Sequence, residues 1–425
     1  ILISAGCAIG LGNVWRFPFI TGMYGGASFV LIYLFFLLIL GLPIMVAEFS
    51  VGRASCRSAA LSFDVLEPKG TKWHLYKYGA IAGNYILMMF YTTVAGWMLY
   101  YFYKMAVGDF AGLDAKGVGA LFGSLLGDPL TMTFNMVLTV LVCFGVCLLG
   151  LQAGVEKITK TMMLCLLILM LALAANSMFL PGAEAGLKYY LYPDFNKVFE
   201  KGVSEVIFAA MGQAFFSLSL GMGCLCTYAS YFSKETNLTK TAFSVGIIDT
   251  FVAILAGFII FPAAFSVGIQ PDSGPSLIFI TLPNVFQQAF SGVPVLAYIF
   301  SVMFYALLAM AALTSTISLH EVVTAYLHEE FNLSRGKAAR LVTGGCVFLG
   351  IFCSLSLGVM KGFTVFGLGM FDLFDFVTAK IMLPLGGLCI SLFTGWYLDK
   401  KIVWSEITND GSLKIPVYKL IIFIL

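Results

Sequence analysis

The sequence predicts an all-α integral membrane protein of about eleven transmembrane helices, set out as a five-plus-five inverted repeat in which helices 1 and 6 are broken. Three observations carry that prediction. Of 425 residues, 60% are hydrophobic and only 11% are charged, whereas a soluble domain carries about a quarter charged. Apolar stretches of spanning length recur from end to end with no alternating strand pattern, so helices must satisfy the backbone in lipid. Two of these stretches, five spans apart, are interrupted by glycines and polar side chains at corresponding places.

Apolar runs and their breakers place spans at 1–22, 27–52, 76–107, 129–150, 158–180, 203–232, 241–268, 296–328, 338–357, 363–397 and 415–425. The whole chain, 1–425, reads as one domain, with helices 1–5 over about 1–180, helices 6–10 over about 203–397 and a partial helix 11 over about 415–425. Span 1 holds Gly6, Gly10, Gly12 and Asn13, then Arg16 and Pro18. Span 6 holds Ser217, Ser219, Gly221 and Gly223. Such segments survive in lipid only where they line a cavity enclosed by protein. Taken alone, Gly6 and Gly10 also suit a close helix-packing seam, but a seam needs neither Asn13 nor a buried Arg16. The stretch 276–291 is too short to span and reads as a lid or re-entrant piece. No signal peptide precedes span 1, and the chain is expected to be truncated at both ends.

Charge sets orientation and excludes partners. The net charge of +2 comes from scattered residues, which argues against nucleic-acid binding. With helix 1 running outward, one side collects Arg53, Arg57, Lys69, Lys72, Lys77, Lys157, Lys160, Lys234, Lys240, Arg335, Lys337, Arg340, Lys400, Lys401 and Lys414. The other collects only Lys104, Lys116, Lys188, Lys197, Lys201 and Lys361. The N-terminal side is therefore expected in the cytoplasm of a multi-pass cell-membrane protein. The ten cysteines lie mostly in apolar spans and form no CxxC or Cys/His cluster, so they read as small core residues.

The segments GCAIGLGNVWRFPF at 6–19, GLPIMVAEFSVGR at 41–53, GQAFFSLSLGMGCLCTYASY at 212–231 and ALTSTISLHEVVTAYLHEEFNLSR at 312–335 resemble the neurotransmitter:sodium symporter family in its bacterial amino-acid branch. The resemblance covers nearly the whole chain. It implies eleven or twelve helices, sodium coupling and alternating access around helices 1 and 6. The physical chemistry is compatible: an unwound helix frees carbonyls for a hard cation, while half-helix N-termini present amides to a carboxylate.

Carried over residue by residue, the resemblance implies a first sodium site from the Ala8 carbonyl, Asn13, Ser217 and Asp249, which stands where asparagine is usual. It implies a second from the carbonyls of Gly6, Ile9 and Ala311 with the hydroxyls of Thr314 and Ser315. Without the motif, Thr314 and Ser315 could equally bond back to their own helix. The substrate carboxylate is expected at the amides of Leu11 and Gly12 and the Tyr91 hydroxyl, beside Ala8, Gly10 and Ser217. Amine-transporting relatives resemble this chain but have aspartate at the position of Gly10, so glycine implies an amino acid. The side-chain pocket maps onto Leu87, Phe216, Ser219, Met222, Ser315 and Leu319, with no charge, which favours a hydrophobic or aromatic substrate. No organic cofactor is implied, and the oligomeric state is left open.

Arg16, Glu48, Asp249, Asp375 and Lys380 lie within apolar spans and need partners or water. The resemblance implies an outer gate of Arg16 with Asp375, helped by Gln213, with Asp372 competing for the role and Tyr91 with Phe216 as a lid. It implies that Glu329 is an inner-gate acid whose basic partner lies before residue 1. Glu48 is expected to bond to broken helix 1, and Lys380 to snorkel. Asp249 would supply the charge that chloride provides near Tyr33, Gln213, Ser217 and Asp249 in animal relatives, since Ala253 replaces a glutamate found in some bacterial ones. Transport is therefore expected to be independent of chloride. Leu164 stands ten residues after Gly154, where the resemblance implies proline, so proline-assisted unwinding of helix 5 is in doubt. Rival classes are an intramembrane zinc enzyme, since His320 and Glu321 resemble half of HExxH but Thr324 replaces the second histidine, and a channel. A sodium-dependent amino-acid sensor, or a carrier of another small zwitterion, remains the alternative reading.

Overall fold

The computed structural model describes residues 10–149, 157–180, 182–266, 277–283, 286, 293–416 and 418–425. Its spanning helices are α1 over 12–23, α2 (Ala27–Ser55), α3 (Tyr76–Ala106), α4 (Pro129–Leu148), α5 (Lys157–Met178), α6 in two pieces (Val203–Ser217 and Cys224–Ala229), α7 (Leu238–Ser266), α8 (Pro294–Glu330), α9 (Arg335–Leu355), α10 (Met370–Tyr397) and α11 (Tyr418–Ile424). Among the described residues six helices, α2, α4, α7, α8, α9 and α10, are singly long and apolar enough to cross a membrane. Helix α6 falls short because it is broken, its first piece being 15 residues. Helix α3 has the length, 31 residues, but is diluted by tyrosine, threonine and glycine.

Local chemistry fixes several ends. Asp128 accepts from the amides of Leu130 and Thr131, capping α4, and Pro129 fills the first helical position, where no amide is needed. Helix α5 runs unbroken through Leu164, as expected where no proline removes a backbone donor. The sequence reading starts span 10 at 363, but α10 starts at Met370 because a two-residue-stranded hairpin, β1 (Thr364–Val365) with β2 (Leu368–Gly369), comes first. Gly367 turns that hairpin at φ +79°. Short helices not anticipated as elements, Ala115–Gly127, Ala183–Leu191, Asn196–Lys201 and Lys400–Thr408, pack outside the spans. Of the expected lid at 276–291, the described turn Leu277–Thr281 puts Phe279 against Trp97, Tyr101 and Phe122; the rest of that segment lies largely outside the described residues.

The break in α6 organises the centre. Ser219, Gly221 and Gly223 take φ of +53°, +87° and +69°, a region glycine enters cheaply and other residues rarely. A Cβ on Gly221 would also meet the Leu383 carbonyl and the Gly387 amide of α10. Three neighbours hold the freed backbone: Glu48 Oε1 accepts from the Gly221 amide at 2.6 Å, the Tyr76 hydroxyl donates to the Gly221 carbonyl at 2.8 Å, and Asn84 Nδ2 donates to the Met222 carbonyl at 2.6 Å. Glu48 thus bonds to broken α6; the unwound part of helix 1, to which it was expected to bond, lies outside the described residues. Carboxylate, phenol and amide together satisfy groups that would otherwise be orphaned in lipid.

Candidate functional site

Gly10 begins the described chain in close approach to α8. A Cβ there would collide with the Ser315 hydroxyl and come within 3.3 Å of the Ala311 carbonyl, so the absence of a side chain is what lets the start of α1 reach α8. The Gly10 carbonyl accepts from the Asn13 and Val14 amides, and its own amide donates to Asn13 Oδ1 at 3.1 Å. Asn13 then projects into the space between α6 and α7. Its Nδ2 donates to Asp249 Oδ1 at 2.7 Å, to the Asp249 carbonyl at 3.0 Å and to Ser217 Oγ at 3.1 Å, and Ser217 Oγ donates to Asp249 Oδ2 at 2.7 Å. All three side chains are buried. The Tyr33 hydroxyl of α2 lies beside Asp249 and Ser217. A hydroxyl and a carboxylate converge here as hard oxygen donors, the chemistry an alkali cation needs, while Asn13 turns its Nδ2 to them and its Oδ1 to the Gly10 amide.

On the α8 side, Ala311, Thr314 and Ser315 are buried, and the Thr314 hydroxyl donates to the Ala311 carbonyl at 3.0 Å. Thr314 therefore shows the back-bond within its own helix, with its hydroxyl oxygen still able to accept or ligate. Gly6, Ala8 and Ile9, the remaining expected ligands, lie outside the described residues.

Beside these two clusters lies a narrow cavity lined by Leu87, Tyr91, Phe216, Ser219, Cys224, Ser315, Ser318, Leu319 and Leu383, closed tightly enough that only about 10 Å³ is open to a water-sized sphere. Most expected pocket residues meet there. Met222 does not line it: its thioether packs against Gly83 of α3, because the positive-φ break turns it away. Ser318, Cys224 and Leu383 were not anticipated. The i, i+3, i+4 spacing of Ser315, Ser318 and Leu319 on α8 was the available signal for Ser318.

The roof is aromatic and charged. The rings of Tyr91 and Phe216 stack at 5.8 Å, and the Arg16 guanidinium sits 4.3 Å from the Phe216 ring centre. Arg16 Nη1 donates to Gln213 Oε1 at 3.1 Å, Gln213 Nε2 donates to the Gly12 carbonyl at 2.9 Å, and Arg16 Nη2 lies 3.6 Å from Asp375 Oδ2. Of the two candidate acids, Asp375 is thus the one that faces Arg16. Gly12 is held against Phe216, where an added Cβ would come within 3.1 Å of the ring. Leu11 is buried at the start of α1.

At the opposite end, Glu329 Oε2 accepts from the Ser58 amide at 2.9 Å and hydroxyl at 2.8 Å, tying the end of α8 to the segment after α2. Lys380 is exposed with its ammonium 5.5 Å from the Phe376 ring centre. The half-motif around His320 is engaged in packing: its ring nitrogens bond Thr343 at 3.0 Å and Thr324 at 3.2 Å, and Glu321 is paired with Arg335.

Comparison with known proteins agrees with this arrangement. The family model described as the sodium:neurotransmitter symporter family matches residues 1–111 and 120–424. An uncharacterized sodium-dependent transporter of Bacillus subtilis is 36% identical over 97% of this chain and 89% of its own length. One from Haemophilus influenzae is 34% identical over 94% and 87%. The crystal structure of MhsT in complex with L-phenylalanine matches with a TM-score of 0.91 at 39% identity, covering 100% of this chain and 93% of that one. Broken α6, the start of α1 lodged against α8 and a likeness running nearly end to end lead to one assignment: the chain belongs to the sodium:neurotransmitter symporter family and is a multi-pass, sodium-dependent membrane transporter.

Proposed function

We propose that this chain is a bacterial symporter that uses two sodium ions to import an amino acid with a hydrophobic or aromatic side chain across the cytoplasmic membrane, without chloride and with its N-terminal side in the cytoplasm. The observation that carries the reading is the junction at Gly10. One short stretch of backbone sits between the Asn13–Ser217–Asp249 cluster and the Ala311–Thr314–Ser315 surface, with the cavity under Phe216 beside both. Sodium bound among Asn13, Ser217 and Asp249 would complete the field that receives a carboxylate at the start of α1. An aspartate at position 10 could not fit without displacing Ser315. The uncharged cavity wall gives an ionic side chain no partner. A solved relative that holds L-phenylalanine supports the same substrate class.

Binding outside would stabilise the state in which the Arg16–Asp375 side closes, and release would follow opening at the Glu329–Ser58 end. The test is thermal stabilisation of the purified protein by each of the twenty amino acids, in sodium and then in potassium. Stabilisation by a few apolar amino acids in sodium alone is expected; equal effects in both salts would refute the coupling, and no effect of any amino acid would refute the substrate class. Substrate exchange in proteoliposomes separates a transporter from a sensor, which binds and does not exchange.

A further inference from the structure

The wall of the cavity is not uniformly apolar. Ser318 and Cys224 reach it from α8 and from the second piece of α6, and neither belongs to the cation clusters. Their hydrogens are already committed. The Ser318 hydroxyl donates to the Thr314 carbonyl at 3.0 Å. The Cys224 thiol points to Asn84 Oδ1 at 3.5 Å, and that amide's orientation is fixed, because Asn84 Nδ2 donates to the Ala80 carbonyl at 2.8 Å and the Met222 carbonyl at 2.6 Å. A serine whose proton goes to its own helix retains acceptor capacity, and a thiol sulfur is a weak acceptor. Around them, Leu87, Leu319 and Leu383 supply flat apolar contact, while Tyr91 and Phe216 close the top. The lining thus combines apolar side chains with two groups able to accept a hydrogen bond.

We propose that Ser318, supported by Cys224, is a specificity-determining residue, and that the preferred substrates are aromatic amino acids carrying a hydrogen-bond donor at the ring edge, an indole N–H or a phenol O–H. This rests on the amino-acid reading above and narrows it. A ring of the same size without the donor would meet the same apolar side chains but leave the Ser318 acceptor unmatched, and sites that hydrogen-bond a substrate discriminate against the analogue lacking that group.

The test compares affinities in sodium by competition against a radiolabelled aromatic amino acid. Tryptophan is set against 3-benzothienylalanine, which replaces the indole N–H by sulfur, and tyrosine against 4-fluorophenylalanine. In the unaltered protein the donor-bearing member of each pair is expected to bind roughly threefold to tenfold more tightly, the worth of one buried hydrogen bond. In Ser318→Ala the ratio within each pair is expected to fall towards one, and in Ser318→Thr, which keeps the hydroxyl, to be largely retained. Ratios near one in the unaltered protein would overturn the proposal while leaving the amino-acid reading intact. So would ratios that survive in the Ser318→Ala, Cys224→Ala double variant. Failure of every amino acid to compete would overturn both. Because the first comparison changes only the ligand, it stands even if a variant fails to fold.

Discussion

The proposed independence from chloride rests on Asp249. Its carboxyl group accepts from Asn13 and Ser217 at 2.7 Å each and is fully buried, so those two donors and a cation bound beside it would together favour its ionised form. A unit charge about 4 Å from a cation is worth roughly 4 kcal/mol at an effective dielectric of 20. Replacing chloride by gluconate is therefore expected to leave uptake unchanged, and a loss of uptake would remove this role. Asp249→Asn keeps the shape and loses the charge; its sodium requirement is expected to rise at least tenfold and its uptake to become stimulated by chloride, read from sodium titrations of uptake in both anions. The Arg16–Asp375 pair is different. At 3.6 Å, with the Asp375 side chain 30% exposed, it is worth about 1 kcal/mol or less in stability. Asp375→Asn should hence leave sodium-dependent binding nearly intact while slowing exchange in proteoliposomes several-fold; parallel loss of binding and exchange would instead mark a structural pair. Asn13 and Ser217 were legible in the sequence because motif segments carried them, and Asp249 because its place is counted back from Gly257. Ser318 carried a local signal in its helical spacing from Ser315 and Leu319, whereas Cys224 did not, since its place in the lining comes from convergence of α8 with α6 around one cavity.

The broken α6 is the element whose form was easiest to read and whose support was hardest. Gly221 and Gly223 within an apolar span announced an interruption, and the positive φ values there are what those glycines permit. What the sequence did not disclose is that Glu48, Tyr76 and Asn84 would bind the opened backbone, because each lies more than a hundred positions away. The same limit explains the hairpin before α10, where an apolar run long enough to extend the span is turned by Phe366 and Gly367 at positive φ. Three substitutions at two positions test the support. Gly221→Ala forces a side chain into a left-handed conformation and against the Leu383 carbonyl, so at least about 2 kcal/mol should be lost, seen as a lower melting temperature and folded yield. Glu48→Ala leaves the Gly221 amide buried without its acceptor, at a cost of about 1–3 kcal/mol. Glu48→Gln retains an oxygen at that position and should melt closer to the unaltered protein. Equal melting of all three would mean that the break is held by packing alone.

At the scale of the whole molecule, the two cation clusters, the cavity and the two closures lie along one path, from Arg16 and Asp375 at one end to Glu329 and Ser58 at the other. The proposed two-ion cycle would make transport charge-moving. A zwitterionic amino acid adds no net charge, so two sodium ions entering with it carry two positive charges inward. Each is worth about 2.3 kcal/mol per 100 mV, and the pair therefore about 4.6 kcal/mol, enough to raise the limiting accumulation ratio roughly a thousandfold at fixed sodium gradient. In proteoliposomes holding potassium, valinomycin sets an inside-negative potential. Initial uptake of the substrate is expected to rise with that potential, and sodium titration to be sigmoidal with a Hill coefficient between one and two. If accumulation ignores the potential while still following the sodium gradient, an equal charge must return in each cycle, and the two-ion cycle drawn from these clusters would have to include a compensating outward cation. If both voltage and sodium sensitivity vanish in Asp249→Asn but only sodium affinity shifts in Thr314→Ala, the cluster around Asn13 is where the driving ion and the substrate are coupled.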